Sequence, residues 1–88
     1  MADWFVYMLR CADDSLYTGV ATDLAARVAK HNAGTGAKYT RGRRPVVLVY
    51  HELAADRAAA QRREAEIKQL RVESKRQLVG RQTGDDAS

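Results

Sequence analysis

The fold is decided by residues 4–19, which read WFVYMLRCADDSLYTG. Two stretches with strand character flank the polar tripeptide Ala12-Asp13-Asp14. A three-residue loop whose last residue is left-handed is a common β-hairpin connection, and aspartate tolerates that conformation better than most residues. This stretch therefore predicts a β-hairpin with Asp14 in the left-handed position.

The loop length also sets the register of the two predicted strands. It places Tyr7 opposite Gly19 and Leu9 opposite Tyr17, whereas a loop shorter by one residue would put the two tyrosines on opposite faces. Because facing residues of paired strands share a face, both tyrosines are predicted to lie on one face of the sheet. Gly19 leaves room beside the Tyr7 ring.

Size and cysteine content restrict the class of protein. A chain of 88 residues forms one small domain, and residues 1–81 are expected to make it, with a polar, disordered tail over 82–88. The single cysteine, Cys11, excludes a disulfide framework, and no Cys/His spacing suggests structural zinc. With no apolar run long enough to span a membrane, the chain is expected to be cytoplasmic.

The net charge of +4 is concentrated in one loop. This basic loop contains Lys38, Tyr39, Arg41, Arg43 and Arg44, with no acidic residue nearby. Such a cluster can be a solvated loop that maintains solubility. We favour the alternative, a loop that contacts the phosphates of a nucleic acid, because an aromatic residue lies among the basic ones.

The remaining segments predict a ββαβα(α) order, hence a small α/β domain of the α+β type. A first helix follows an N-cap at Thr22, and a buried third strand is expected over Val46–Tyr50. A helix over about 55–71 is indicated by residues that favour helices, and a short last helix is expected to end at Gly80. Residues 34–45 between them are predicted to be a loop.

Glu64 is the most informative acidic residue. Ala60 and Ile67 lie one turn away on either side of it, so all three share the face that the helix should bury. A carboxylate on such a face can be a rim residue that reaches solvent, or it can hold a magnesium ion together with substrate phosphate and water. Both interpretations remain open from the residues alone.

Two further pairs can take part in chemistry. Arg27 and His31 lie four residues apart on the first helix, either as solvated residues or as a cationic clamp for phosphate. Tyr7 and Tyr17 can be ordinary strand residues, or one can act as a base if a neighbouring arginine or metal favours the phenolate. Arg27 follows the second strand closely enough to be that neighbour.

The order of these residues resembles the GIY-YIG nuclease domain, in particular its small stand-alone bacterial members. Phe5-Val6-Tyr7 and Tyr17-Thr18-Gly19 occupy the places of the two signature triplets, in which Val6, Thr18 and Gly19 are structural positions. The helix with Arg27 and His31 follows them, and further similar stretches are found over 37–45 and 62–68. The resemblance covers about residues 3–80.

The resemblance implies a three-stranded antiparallel sheet flanked by helices, with the active site on one face. It implies hydrolysis of phosphodiester bonds in DNA with one divalent metal, Mg²⁺ or Mn²⁺, held by Glu64. Tyr17 would take the proton from the attacking water while Tyr7 orients that water. Arg27 would stabilise charge on the phosphate, with assistance from His31.

Two functions follow from the resemblance. The first is a DNA endonuclease that acts on structured or damaged DNA in repair. The alternative is a nucleic-acid-binding module without catalysis, whose partner protein supplies specificity, because nothing outside the nuclease-like core is available to supply it.

Overall fold

The computed structural model describes residues 3–87, with side chains up to Gln82. No helix in this part of the chain is long and apolar enough to cross a membrane. The elements in chain order are β1 (Trp4–Arg10), β2 (Leu16–Ala21), α1 (Leu24–Asn32), α2 (Lys38–Arg41), β3 (Val47–Ala54), α3 (Arg57–Lys68) and α4 (Val72–Ala87).

The β1–β2 hairpin has the predicted register. Tyr7 is opposite Gly19 and Leu9 is opposite Tyr17 in an antiparallel pair. Asp14 has a φ of 70°, the left-handed conformation that the three-residue loop requires. The loop length predicted which residues face each other, and the prediction is confirmed.

The third strand lies at an edge of the sheet. The strand order is β2-β1-β3, and both pairings are antiparallel. β3 begins at Val47 and continues to Ala54, beyond the predicted end at Tyr50. Val47 is exposed although Val46 and Tyr50 are buried, so the prediction of a buried strand over Val46–Tyr50 was wrong at Val47. An unbroken apolar run does not distinguish a central strand from an edge strand.

The sheet separates two hydrophobic clusters. Val6 and Met8 of β1 contact Ala60 and Ile67 of α3, and α4 packs on the same side. The alternate β1 residues, Tyr7 and Leu9, face the other side, where α1 packs. The central strand is therefore buried on both faces, and its odd-numbered positions point toward the side of the tyrosines.

Helix α1 begins one residue later than predicted. Its N-cap is Asp23, whose carboxylate accepts a hydrogen bond of 3.0 Å from the amide of Ala26, and Thr22 does not have that role. Both residues can cap a helix, so residue type alone could not decide between them. The predicted loop over 34–45 also contains the short helix α2.

Helix α4 continues past Gly80, where the sequence predicted that it would end. Its backbone includes residues of the segment 82–88 that was predicted to be a disordered tail, and Ser88 lies outside the described residues. A glycine ends a helix by taking a positive φ, and among the described glycines that conformation is found at Gly34. Gln82 of α4 exchanges two hydrogen bonds with the backbone of His51 on the edge strand β3, at 2.9 and 2.6 Å.

Candidate active site

Three aromatic rings meet on the α1 side of the sheet. The ring of Tyr17 lies 6.4 Å from that of Tyr7 and 5.2 Å from that of His31, measured between centroids. The rings of Tyr7 and His31 are 6.1 Å apart. The hairpin register therefore brings two predicted site residues together, and α1 adds a third.

Tyr7 reaches across the neighbouring strand because Gly19 has no side chain. A Cβ atom at position 19 would lie 2.6 Å from the Tyr7 hydroxyl oxygen and 2.7 Å from Cζ, closer than real contacts allow. The phenol of a central-strand residue thus passes over β2. Gly19, the glycine of the second signature triplet, is therefore needed to make room for Tyr7, the tyrosine of the first.

The hydrogen bonds around His31 determine its tautomer. Thr40 Oγ1 donates its proton to the carbonyl of Ala37 at 2.9 Å, so it can only accept from His31 Nδ1, which lies 2.8 Å away. Nδ1 therefore carries the ring proton of neutral His31. Nε2 is then an acceptor, and it receives the hydrogen bond of 2.9 Å from the Tyr7 hydroxyl.

This chain of hydrogen bonds is buried. Tyr7, His31 and Thr40 are each at most 2% exposed. Gly36 allows the backbone to approach the imidazole, since a Cβ atom there would lie 2.4 Å from Nδ1. Helix α2 thus has a role in the site, because it holds the Thr40 hydroxyl against His31.

Burial also changes the acidity of the site. Removal from water raises the pKa of the Tyr7 phenol, and Tyr17 adds to this effect, while Arg27 opposes it. Glu64 contributes to the same rise, which places its charge within range of Tyr7. Burial lowers the pKa of His31, and the positive charge of Arg27 lowers it further. Neutral pH therefore leaves Tyr7 protonated and His31 uncharged.

The structure thus collects all five predicted site residues in one region. Four elements carry them: β1 has Tyr7, β2 has Tyr17, α1 has Arg27 and His31, and α3, on the other side of the sheet, has Glu64. Arg27 is exposed at the surface of α1 and acts on Tyr7 and His31 through its charge. The two tyrosines and His31 lie on the α1 side of the sheet, and the charges of Arg27 and of Glu64, from the α3 layer, act on Tyr7.

Glu64 is half-buried on α3, as its neighbours Ala60 and Ile67 predicted. Its side chain is 22% exposed, and its carboxylate forms an ion pair of 3.2 Å with Lys68, one turn later. Within residues 3–82, no group of three or more His, Cys, Asp or Glu side chains could hold a metal ion. A single carboxylate fits Mg²⁺ or Mn²⁺ when water and phosphate supply the other ligands.

Two arginines of the basic loop already have partners inside the protein. Arg43 forms an ion pair of 3.0 Å with Asp13 in the hairpin loop, and its guanidinium lies 4.1 Å from the centre of the Tyr39 ring. Arg44 donates to the carbonyls of Arg41 and Asn32 at 2.9 and 3.2 Å. These contacts fasten the loop to the hairpin and to the end of α1.

Tyr39 extends the aromatic group outward. Its ring stacks on Tyr17 with centroids 5.9 Å apart and an interplanar angle of 27°. Tyr39 is 39% exposed, although the Arg43 guanidinium also lies over its ring. The basic loop therefore contacts the site directly, although it is far from Tyr17 in sequence.

Sequence reasoning missed Thr40 and Lys68. Nothing in the residue pattern shows that Thr40 binds a histidine nine positions earlier, since a threonine in a loop has many possible partners. Lys68 could have been found, because a glutamate four residues before a lysine on a helix is a favourable pair.

Comparisons with known proteins show which family this chain resembles. A model of the GIY-YIG catalytic domain matches residues 3–77. The UPF0213 protein of Natronomonas pharaonis is 54% identical over 83 residues, which are 94% of this chain and 98% of that protein. The UPF0213 protein of Staphylococcus haemolyticus is 52% identical over 79 residues, with 90% of this chain and 96% of that protein covered.

Two solution NMR structures have the same architecture. The UPF0213 protein of Bacillus halodurans has a TM-score of 0.57 at 46% identity, over 89% of this chain and 83% of that one. A protein of E. faecalis has a TM-score of 0.60 at 38% identity, over 88% and 82% of the two chains.

Proposed function

The chain belongs to the GIY-YIG catalytic domain family, and from this membership and the geometry of the site we propose that it is a metal-dependent endonuclease that hydrolyses phosphodiester bonds of DNA. The observation that carries the proposal is the convergence of Tyr7, Tyr17, Arg27, His31 and Glu64. Structured or damaged DNA, of the kind processed in repair, is the substrate class that we propose.

The two tyrosines have different roles in this proposal. The phenol of Tyr7 is buried and its pKa is raised, so it keeps its proton and donates a hydrogen bond to His31 Nε2. The free lone pairs of its oxygen can accept a hydrogen bond from the attacking water and orient it. Tyr17 is only half-buried, and we assign to it the removal of the proton from that water.

In this proposal, charge stabilisation would come from Arg27 and from a divalent ion held by Glu64. Arg27 is exposed on α1 and close enough to Tyr7 and His31 to affect the pKa of both, so its guanidinium can reach a phosphate bound there. A divalent metal held by Glu64 would supply Lewis-acid stabilisation of the charged phosphate. Fixed positive charge near a reacting phosphate is the largest contribution expected in this chemistry.

The nucleic-acid contacts that we propose follow from which side chains are unengaged. Arg43 and Arg44 already bind groups of the protein, whereas Lys38 and Arg41 are exposed and make no side-chain hydrogen bond or ion pair within the described part of the chain. Lys38, Arg41 and the exposed part of Tyr39 are therefore the groups of this loop that can meet the DNA backbone.

The test is cleavage of a panel of single-stranded, duplex, flap and branched DNA with Mg²⁺ or Mn²⁺. Wild type is compared with Glu64→Gln and Tyr17→Phe at equal protein concentration, with Glu66→Gln as a control on the exposed side of α3. We expect cleavage by wild type and Glu66→Gln and its loss in the other two variants. Cleavage that survives in both site variants would contradict the proposal.

A non-catalytic nucleic-acid-binding module that acts with a partner protein is the second candidate. The pairing of Glu64 with Lys68 favours it, because a carboxylate neutralised by a lysine is a weaker metal ligand. This candidate predicts salt-sensitive DNA binding that is unaffected by divalent metal, together with no cleavage of any substrate in the panel.

A further inference from the structure

A groove runs along the outer edge of β2, next to the candidate active site. Its volume is about 330 Å³, within the lower range of ligand sites in proteins. The residues that line it, hereafter the β2 groove, are Leu16, Tyr17, Thr18, Tyr39, Lys68 and Lys75. Tyr17 belongs both to this lining and to the aromatic group of the site.

The charge of the β2 groove is positive. Lys68 and Lys75 are its two charged residues, and no carboxylate belongs to the lining. Glu64 offsets the charge of Lys68 from outside the groove. Lys75 is half-buried and takes part in none of the ion pairs found within residues 3–82. The ammonium of Lys75 is therefore available to an anionic ligand.

The wall of the groove also contains an unsatisfied polar group. Thr18 Oγ1 is buried and has no hydrogen-bond partner within the described residues. Buried hydroxyls are almost always hydrogen-bonded, so an unpaired one needs an explanation. A water or a ligand oxygen in the adjoining groove would provide the partner that the protein does not.

Tyr39 also lines the groove and is 39% exposed, with its ring stacked on Tyr17 and covered by the Arg43 guanidinium. The stack fixes Tyr39 and Tyr17 beside the two lysines. Nucleic acid is the ligand class of the proposed function, and its backbone carries the repeated negative charge that these lysines can meet.

We propose that the β2 groove binds a backbone phosphate of the nucleic acid beside the one that is cleaved, with Lys75 as the principal ligand and Lys68 as the second. This inference rests on the proposed function, because it takes nucleic acid as the ligand. It gives α4 a direct part in substrate binding, whereas the sequence predicted nucleic-acid contacts for the basic loop alone. Next to Lys75, Arg76 forms an ion pair of 3.9 Å with Asp14. The positive charge that lacks an acidic partner therefore does not extend beyond Lys75.

The test measures binding without catalysis. Fluorescence anisotropy of a labelled oligonucleotide, single-stranded or duplex, is recorded at several salt concentrations with EDTA present. The proteins compared are wild type, Lys75→Gln, Lys75→Arg and the control Arg62→Gln. Arg62 is exposed on the side of α3 opposite Glu64, and its change removes the same charge from outside the groove.

We expect Lys75→Gln to lower the slope of log affinity against log salt by about 0.7 to 0.9, and to weaken binding roughly tenfold at 50 mM salt. Lys75→Arg should keep both quantities near wild type. Because Lys75 has no ion pair in the described structure and glutamine is a good helix former, the melting temperature should not change.

The failures of the two proposals can be told apart. If wild type binds and Lys75→Gln behaves like Arg62→Gln, the β2 groove is not a phosphate site, and the proposed function is unaffected. If wild type binds no DNA even at low salt, the proposed function is itself wrong, and the groove proposal is overturned with it.

Discussion

The Tyr7 hydroxyl donates a hydrogen bond of 2.9 Å to His31 Nε2, and this bond joins the central strand of the sheet to helix α1. The bond is possible because His31 Nδ1 carries the ring proton and donates it in a hydrogen bond to Thr40 Oγ1, which leaves Nε2 as an acceptor. Thr40, on the short helix α2, therefore determines that the Tyr7 hydroxyl points its proton toward His31 Nε2.

Substitution Thr40→Val should destabilise the protein by about 1–3 kcal/mol, since it leaves the buried Nδ1–H of His31 without an acceptor. It should also remove the preference of neutral His31 for the tautomer with the proton on Nδ1. The ¹⁵N chemical shifts of the imidazole report this directly, and Thr40→Ser should preserve the wild-type shifts. Unchanged shifts in Thr40→Val would mean that Thr40 does not control the tautomer.

Stability should fall as the pH is lowered from 7.5 to 5. The pKa of His31 is lowered in the folded state by burial and then by Arg27, so the unfolded chain binds the proton more readily. The stability that neutral His31 contributes is complete above its unfolded pKa of about 6.5 and is lost as the pH falls below it.

Denaturant unfolding at several pH values checks this dependence. His31→Gln should flatten it, although that variant will be less stable, while His51→Gln should retain it because His51 is exposed. Asp13 should not titrate in the range from pH 7.5 to 5, because its hydrogen bonds to Ser15 lower its pKa. A profile that keeps its slope in His31→Gln would assign the titration to another group.

Gly19→Ala should destabilise the protein by about 1–3 kcal/mol, because the new Cβ would lie 2.6 Å from the Tyr7 hydroxyl oxygen. The phenol must move, so its hydrogen bond to His31 should weaken and DNA cleavage should fall with stability. Gly42→Ala is the matched control, since a Cβ there meets nothing within 4 Å. Urea unfolding of the two variants measures the difference, and equal stabilities would contradict the crowding.

Lys68→Gln should strengthen metal binding at Glu64 by roughly two- to fivefold, the range expected for removal of a partly exposed ion pair. The rise in melting temperature with added Mn²⁺ measures the affinity without any substrate. Glu64→Gln should abolish that rise. If Lys68→Gln responds to Mn²⁺ no more strongly than wild type, the lysine does not compete with the ion.

The hairpin was predictable because its geometry is local. The length of one loop determines which residues of adjoining strands face each other, and strand alternation then assigns their faces. Tyr7, Gly19 and Tyr17 were placed in this way from residues within one stretch. Helical periodicity placed Glu64 beside Ala60 and Ile67 by an equally short-range rule.

Other features depended on how distant segments pack. An apolar strand of the composition of β3 could have been central or at an edge, and the order β2-β1-β3 put it at an edge. The basic loop could have been fully solvated, yet it folds into α2 and places Tyr39 on Tyr17. Residue type indicated the charge of this loop but not its partners.

The sequence by itself therefore determined the hairpin, its register, the face shared by the two tyrosines and the helix face of Glu64, because each depends on neighbours along the chain. Only the tertiary structure decided the strand order, the tautomer of His31 and the engagement of Arg43 and Arg44 inside the protein. These depend on contacts between residues far apart in the chain, and such contacts arise from the packing of the whole domain.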